Sequence, residues 1–187
     1  MASIRSFIAL PSPVELKTVL GGLQQRLMAE KADVKWDSPD KFHITLKFLG
    51  NADPGRLDEL SESLSAVASG IGAFSLIYSS LGAFPDLVHP RVVWAGAELC
   101  EPLSQLQRQV ETHCRRLGFQ EETRTFHPHI TLGRVKGTTN LGRLTAKLKS
   151  ITFEPLQTNC RDILLIKSDL RPAGSVYTTL KSFPLNA

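Results

Sequence analysis

The sequence predicts an α+β fold of two lobes around a central cleft, and three observations carry that expectation. Strand-like and helix-like stretches interleave along the 187 residues, yet short strand-to-strand connections recur, which favours antiparallel or mixed sheets with the helices outside. Two β-favouring runs, Phe42-His43-Ile44-Thr45-Leu46-Lys47-Phe48-Leu49-Gly50 and His127-Pro128-His129-Ile130-Thr131-Leu132-Gly133-Arg134, each carry His-x-Thr, one in each half of the chain. No linker divides the halves, so residues 1–187 read as a single bilobal domain.

Each element has a local cause. The apolar run Ile4 to Leu10 predicts a buried strand stopped by Pro11 and Pro13. Ser12 as a cap with Pro13 at the first position predicts a helix carrying Leu16, Val19, Leu20, Leu23 and Leu27, weakened by Gly21-Gly22 at its middle. Val34-Lys35-Trp36 is a short strand, and Ser38-Pro39-Asp40 turns the chain into the first His-x-Thr strand, which Gly50-Asn51 ends. Asp53-Pro54 repeats the cap-then-proline start for a second helix with Leu57, Leu60, Leu64 and Val67 on one stripe. Strands over 74–81 and 92–95 follow, separated by a loop that contains Pro85 and Pro90. Pro102 opens a third helix through Leu103, Leu106, Val110 and Cys114, ended by Gly118. Beyond the second motif, Thr138-Thr139-Asn140 caps a short helix over 141–149, and two strands, 162–168 and 176–183, meet near Arg171-Pro172-Ala173-Gly174.

Bulk properties exclude several classes. The chain is 42% hydrophobic and 21% charged, an ordinary globular composition. Twenty-two basic against 18 acidic residues give a net charge of +4, which suits a phosphate-bearing partner without identifying one. Three cysteines, Cys100, Cys114 and Cys160, fit no metal or redox spacing and read as thiols in a reducing compartment. The N-terminus reads as a strand start and lacks the features of a signal peptide, and no stretch approaches the ~18 apolar residues of a membrane span. A soluble, cytoplasmic protein is expected, with no membrane partner and no obligate protein partner. Its small size and lack of an apolar surface stripe favour a monomer.

The two motifs carry the chemistry. Strand side chains alternate between faces, so His43, Thr45 and Lys47 are expected on one face and Phe42, Ile44, Leu46 and Phe48 on the other. His129 and Thr131 likewise oppose Ile130 and Leu132. Arg134 falls opposite His129 by the same rule and reaches a cleft only if the strand twists, bulges or ends before it. Two imidazoles and two hydroxyls on one surface suit acid–base catalysis with hydrogen-bond donors beside it. A zinc site is the competing reading, because His43, His127 and His129 offer three nitrogens. No Asp, Glu or Cys within the motifs completes that set, and no metal or cofactor is expected. His127 before Pro128 reads as a turn residue, His89 as a loop residue, and His113 as a charge favouring a helix C-terminus.

On these residues the chain resembles the 2H phosphoesterase superfamily, named for its paired His-x-Thr/Ser motifs. It looks most like the LigT-like RNA 2′,3′-cyclic phosphodiesterases, also called 2′-5′ RNA ligases. Softer matches run from Arg5-Ser6-Phe7-Ile8-Ala9 through Trp36 and Pro90-Arg91-Val92-Val93-Trp94 to Tyr177 and Phe183-Pro184-Leu185. The resemblance implies a bilobal, pseudo-twofold fold and metal-independent hydrolysis of RNA 2′,3′-cyclic phosphate ends to 2′-phosphomonoesters. It implies His43 as proton donor to the leaving oxygen and His129 as proton acceptor from water; the residues alone leave the roles interchangeable. Thr45 and Thr131 would donate to non-bridging phosphate oxygens, with Lys47 and Arg134 as added cations. Phe126 and Trp36 are candidates for base stacking, while Phe7 reads as core. The same site run in reverse would be a 2′-5′ RNA ligase. A nucleotide-binding module without turnover is the reading from a different class.

Overall fold

A computed structural model describes residues 3–172 and 174–186. Met1, Ala2, Ala173 and Ala187 lie outside the described residues, and with them the first two positions of the expected strand start and one position of the last hairpin turn. The chain runs β1 (Ile4–Pro11), α1 (Val14–Met28), β2 (Val34–Trp36), β3 (His43–Ala52), α2 (Pro54–Ser69), β4 (Phe74–Phe84), β5 (Val92–Ala97), α3 (Glu101–Arg116), β6 (His129–Val135), α4 (Leu141–Ser150), β7 (Leu156–Cys160), β8 (Asp162–Arg171) and β9 (Gly174–Pro184). This is the expected α+β order with one strand added, β7. Its sequence, Leu-Gln-Thr-Asn-Cys, is too polar to read as a strand alone, and its pairing along β4 decides it.

Two starts differ from expectation. Helix α1 begins behind Pro13 without a side-chain cap, so Ser12 does not cap it, and Val19 stands 40% exposed instead of inward. Asn140 takes the left-handed conformation at the start of α4 and spends its amide on the Lys31 carbonyl, 3.0 Å away. At α2 the prediction holds: the Asp53 carboxylate accepts from the Gly55 N–H at 2.9 Å.

The two sheets expected from sequence are halves of one nine-stranded sheet ordered β7-β4-β5-β6-β3-β1-β8-β9, with β2 on β6. Its strand ladders are antiparallel. Walking outward from the centre, β6, β5, β4 and β7 on one side mirror β3, β1, β8 and β9 on the other. The halves meet at a seam of one residue pair, Ile44 with Ile130. So narrow a seam lets the halves splay on the side of the motif histidines, while Ile44 and Ile130 are sealed in the core behind. Helices α2 and α3 cover the β3 half, and α4 lies against β4. Helix α1 crosses to the other half, where Gln24 Nε2 donates to the Leu132 carbonyl of β6 at 2.8 Å. That crossing knits the lobes into one hydrophobic core.

Candidate active site

The cleft face is set by two matched β-bulges. On β3, Thr45 pairs with Ala9 of β1, yet the next pair is Lys47 with Ile8, which leaves Leu46 as an extra residue. On β6, Thr131 pairs with Trp94 of β5 and Gly133 with Val93, which leaves Leu132 extra. Each bulge sits directly after its His-x-Thr and reverses the alternation beyond it. Phe48 and Arg134 therefore join the histidines on the cleft face, while Lys47 and Gly133 turn toward the core.

That reversal corrects two expectations and answers a third. Lys47 lines the cavity but is not a free cleft cation: it is buried, and its ammonium donates to Glu111 Oε1 on α3 at 2.8 Å and to the Gln120 carbonyl. Trp36 is not a base-stacking surface. It pairs with Gly133 and packs toward the main core, where a side chain on Gly133 would come within 2.7 Å of its Cε3. Arg134, which strict alternation had turned away, lines the cleft.

The histidines are held alike. His43 Nδ1 lies 2.6 Å from the Lys41 carbonyl and His129 Nδ1 lies 2.6 Å from the His127 carbonyl. A carbonyl only accepts, so each Nδ1 carries a proton and each Nε2 is left for chemistry. The Thr45 hydroxyl stands 3.1 Å from His43 Nε2 and donates to it in this tautomer. Aromatic rings brace both imidazoles. Phe7 stacks on His43 at 4.8 Å with Tyr177 edge-on at 5.5 Å, and Phe84 meets His129 edge-on at 4.9 Å. The braces were not legible in the sequence, because Phe7, Phe84 and Tyr177 come from three distant strands.

All four motif side chains open into one cavity of about 610 Å³, with Arg134, Phe48 and Tyr177 around them and Phe126 and Arg124 on a facing loop. Phe48 is 59% exposed, a large ring left in solvent beside the histidines. Phe126 is half-buried and remains a wall of the cavity. His127 is exposed at the rim, and what it supplies to His129 is its carbonyl. Among the described residues, no group of three or more His, Cys, Asp or Glu side chains is placed to hold a metal ion.

Electrostatics favour the neutral forms of both bases. Burial pulls His43 below the ordinary histidine value, the Lys41 carbonyl opposes this, and positive charge on His129 and Arg134 adds to the fall. Burial lowers His129 as well, against the His127 carbonyl and together with His127 and Arg134. Each lowering disfavours the doubly protonated pair, and an anion in the cleft would restore a proton to one of them. Asp37, which also lines the cavity, is raised by burial, with Arg134, Lys41 and Lys35 opposing.

Comparisons with known proteins agree with this geometry. The family profile described as LigT like Phosphoesterase matches residues 10–94 and 97–177. A protein of Methanothermobacter thermautotrophicus named RNA 2′,3′-cyclic phosphodiesterase is 32% identical over 185 residues, covering 97% of this chain and 99% of the relative. One of the same name from Thermotoga maritima is 30% identical over 177 residues, 95% of this chain and 93% of the relative. The crystal structure of E. coli LigT complexed with 3′-AMP superposes with a TM-score of 0.80 at 25% identity, covering 99% of each chain. A crystal structure from Thermus thermophilus gives a TM-score of 0.82 at 27% identity, covering 97% of each chain. With a match running nearly end to end and two His-x-Thr strands facing one cleft, the chain belongs to the LigT-like phosphoesterase family.

Proposed function

We propose that this chain hydrolyses RNA 2′,3′-cyclic phosphate ends to 2′-phosphomonoesters by two-histidine acid–base catalysis without a metal. The observation that carries the reading is the matched pair of imidazoles, each locked through Nδ1 so that both Nε2 atoms face one cavity. The names of the relatives supply the substrate class.

Ring opening breaks the bond from phosphorus to the 3′ oxygen while water attacks from the opposite side. One base removes the proton of that water and one acid protonates the departing oxygen, so the two act in line on opposite flanks. His129 takes the water proton and His43 delivers one to the leaving 3′ oxygen. Thr45 and Thr131 donate to the non-bridging oxygens, where charge builds in the transition state. Arg134 offers its guanidinium fork to the same oxygens, close enough to both histidines to lower their proton affinity. The exposed Phe48 ring presents a face on which a base can stack.

Product analysis tests the whole assignment. A short RNA ending in 2′,3′-cyclic phosphate is incubated with the protein in EDTA, and phosphorus NMR identifies the product. A 2′-phosphate is expected. A 3′-phosphate would reverse the leaving oxygen, and turnover lost to EDTA would overturn the metal-free mechanism.

A further inference from the structure

The twelve residues between α3 and β6, 117–128, form one wall of the cavity yet contain no helix or strand. They contribute Glu122, Arg124, Thr125, Phe126 and His127 to it. A loop of that length needs anchors to hold a surface against a ligand. Its exit is fixed near β6, where the Pro128 carbonyl accepts from the Ala97 N–H at 3.0 Å. Its entry is fixed by buried Phe119, with the Arg56 guanidinium 5.2 Å above the ring.

Between these ends the buried hold on the loop is an ion pair, beside a solvent-exposed 3.9 Å contact between Arg115 and Glu121. Lys47 Nζ donates to the Gln120 carbonyl and to Glu111 Oε1, and that same Oε1 accepts from the Glu122 N–H at 3.0 Å. The Lys47 side chain is 3% exposed and that of Glu111 17%. Lys47 stands two residues past Thr45, just beyond the bulge, where its ammonium is directed to Glu111 and Gln120 at the edge of the cavity. One ammonium thus ties the loop to the strand that carries His43.

We propose that Lys47 and Glu111 are positioning residues: a latch that holds loop 117–128 as the recognition wall for the part of the substrate beyond the cyclic phosphate. The inference rests on the hydrolase reading above and extends it to substrate selection. Glu122 and Arg124 lie on this wall and pair through Nε–Oε1 and Nη2–Oε2 contacts, each 3.1 Å long. The pair sets an acceptor and a donor on the wall where an adjoining nucleotide would lie. The histidine anchors sit away from the latch: His43 takes the Lys41 carbonyl outside the loop, and His129 takes the carbonyl of His127 at the loop's exit, beside Pro128, which the Ala97 N–H holds independently.

The test uses Lys47→Met together with Glu111→Leu, which removes both charges at once and leaves no lone ion in the core. Lys47→Arg serves as the conservative variant. The double variant is expected to raise KM at least tenfold for an RNA oligonucleotide ending in 2′,3′-cyclic phosphate. KM for a 2′,3′-cyclic mononucleotide, and kcat for both substrates, should stay within threefold. Trypsin should cut after Arg124, 84% exposed on the loop, at least tenfold faster than in the unaltered chain, and Lys47→Arg should restore protection in part. Unchanged trypsin cleavage overturns the latch. So does an equal KM rise for both substrates, or a fall in kcat with protection intact, since these would place Lys47 at the phosphate. If the unaltered chain itself fails to turn over cyclic phosphates, the hydrolase reading fails while trypsin cleavage alone still decides whether the latch exists.

Discussion

For single residues, orientation matters more than identity. An imidazole free to rotate would present either nitrogen, whereas His43 and His129 are each restrained by a 2.6 Å bond to the carbonyl two residues before. Replacing either by Ala is expected to lower kcat by about 10²–10⁴-fold, the usual worth of a positioned acid or base, measured by single-turnover hydrolysis of a cyclic-phosphate RNA. Thr45→Val and Thr131→Val keep shape and remove the hydroxyl. Each should cost roughly 3 kcal/mol of transition-state stabilisation, seen in kcat with little change in KM. Phe48→Leu should instead weaken binding, by ~1–3 kcal/mol if the ring stacks on a base, and an unchanged KM would remove it from the site.

Within each motif strand, a single inserted residue decides which side chains meet substrate. The bulges at Leu46 and Leu132 turn Phe48 and Arg134 into the cleft and send Lys47 and Gly133 behind it. Behind β6 the space is filled by Trp36 and Val34, each within 2.7 Å of where a Gly133 side chain would begin. Gly133→Val should therefore destabilise by about 1–3 kcal/mol through overpacking and lower activity as β6 shifts, read from urea unfolding alongside turnover. Behind β3 the equivalent position holds the Lys47–Glu111 pair. Lys47→Met alone strands a carboxylate in the core and should cost about 3–5 kcal/mol, while adding Glu111→Leu should recover most of that loss. Denaturation of both single variants and the double variant gives the coupling directly.

Across the whole molecule, the two halves act through one proton balance. Both histidines are lowered by burial, so in the free protein the window with one neutral base and one charged acid lies below the ordinary value of about 6.5. The kcat/KM profile should be bell-shaped with its maximum below that pH. The kcat profile should sit at higher pH, because the bound anion raises the histidines again. Stability follows the same groups. A histidine lowered on folding takes its proton first in the unfolded chain, so its contribution is whole above about pH 6.5 and is lost as pH falls toward the folded value. Urea midpoints should drop between neutral and mildly acid pH, and the loss should be shallower in a His43→Gln/His129→Gln variant.

Features that were local and periodic could be read from the chain before any fold was known. Helix stripes such as Leu57, Leu60, Leu64 and Val67, the Asp53 cap, and the paired His-x-Thr strands were legible because neighbours within a few residues set them. The four motif residues of the candidate site came with them. Whatever depends on register between distant strands had to wait for the folded arrangement. Alternation predicts faces only while pairing stays unbroken, and a bulge is defined by the partner strand, so Lys47, Phe48 and Arg134 were each assigned to the wrong face. Strand β7 needed β4 to exist, and Phe7, Phe84 and Tyr177 became braces only when their strands were laid beside the histidines. Hydrophobic period and capping act within one element, whereas a cleft is made of side chains that the chain brings together only by closing loops of many residues.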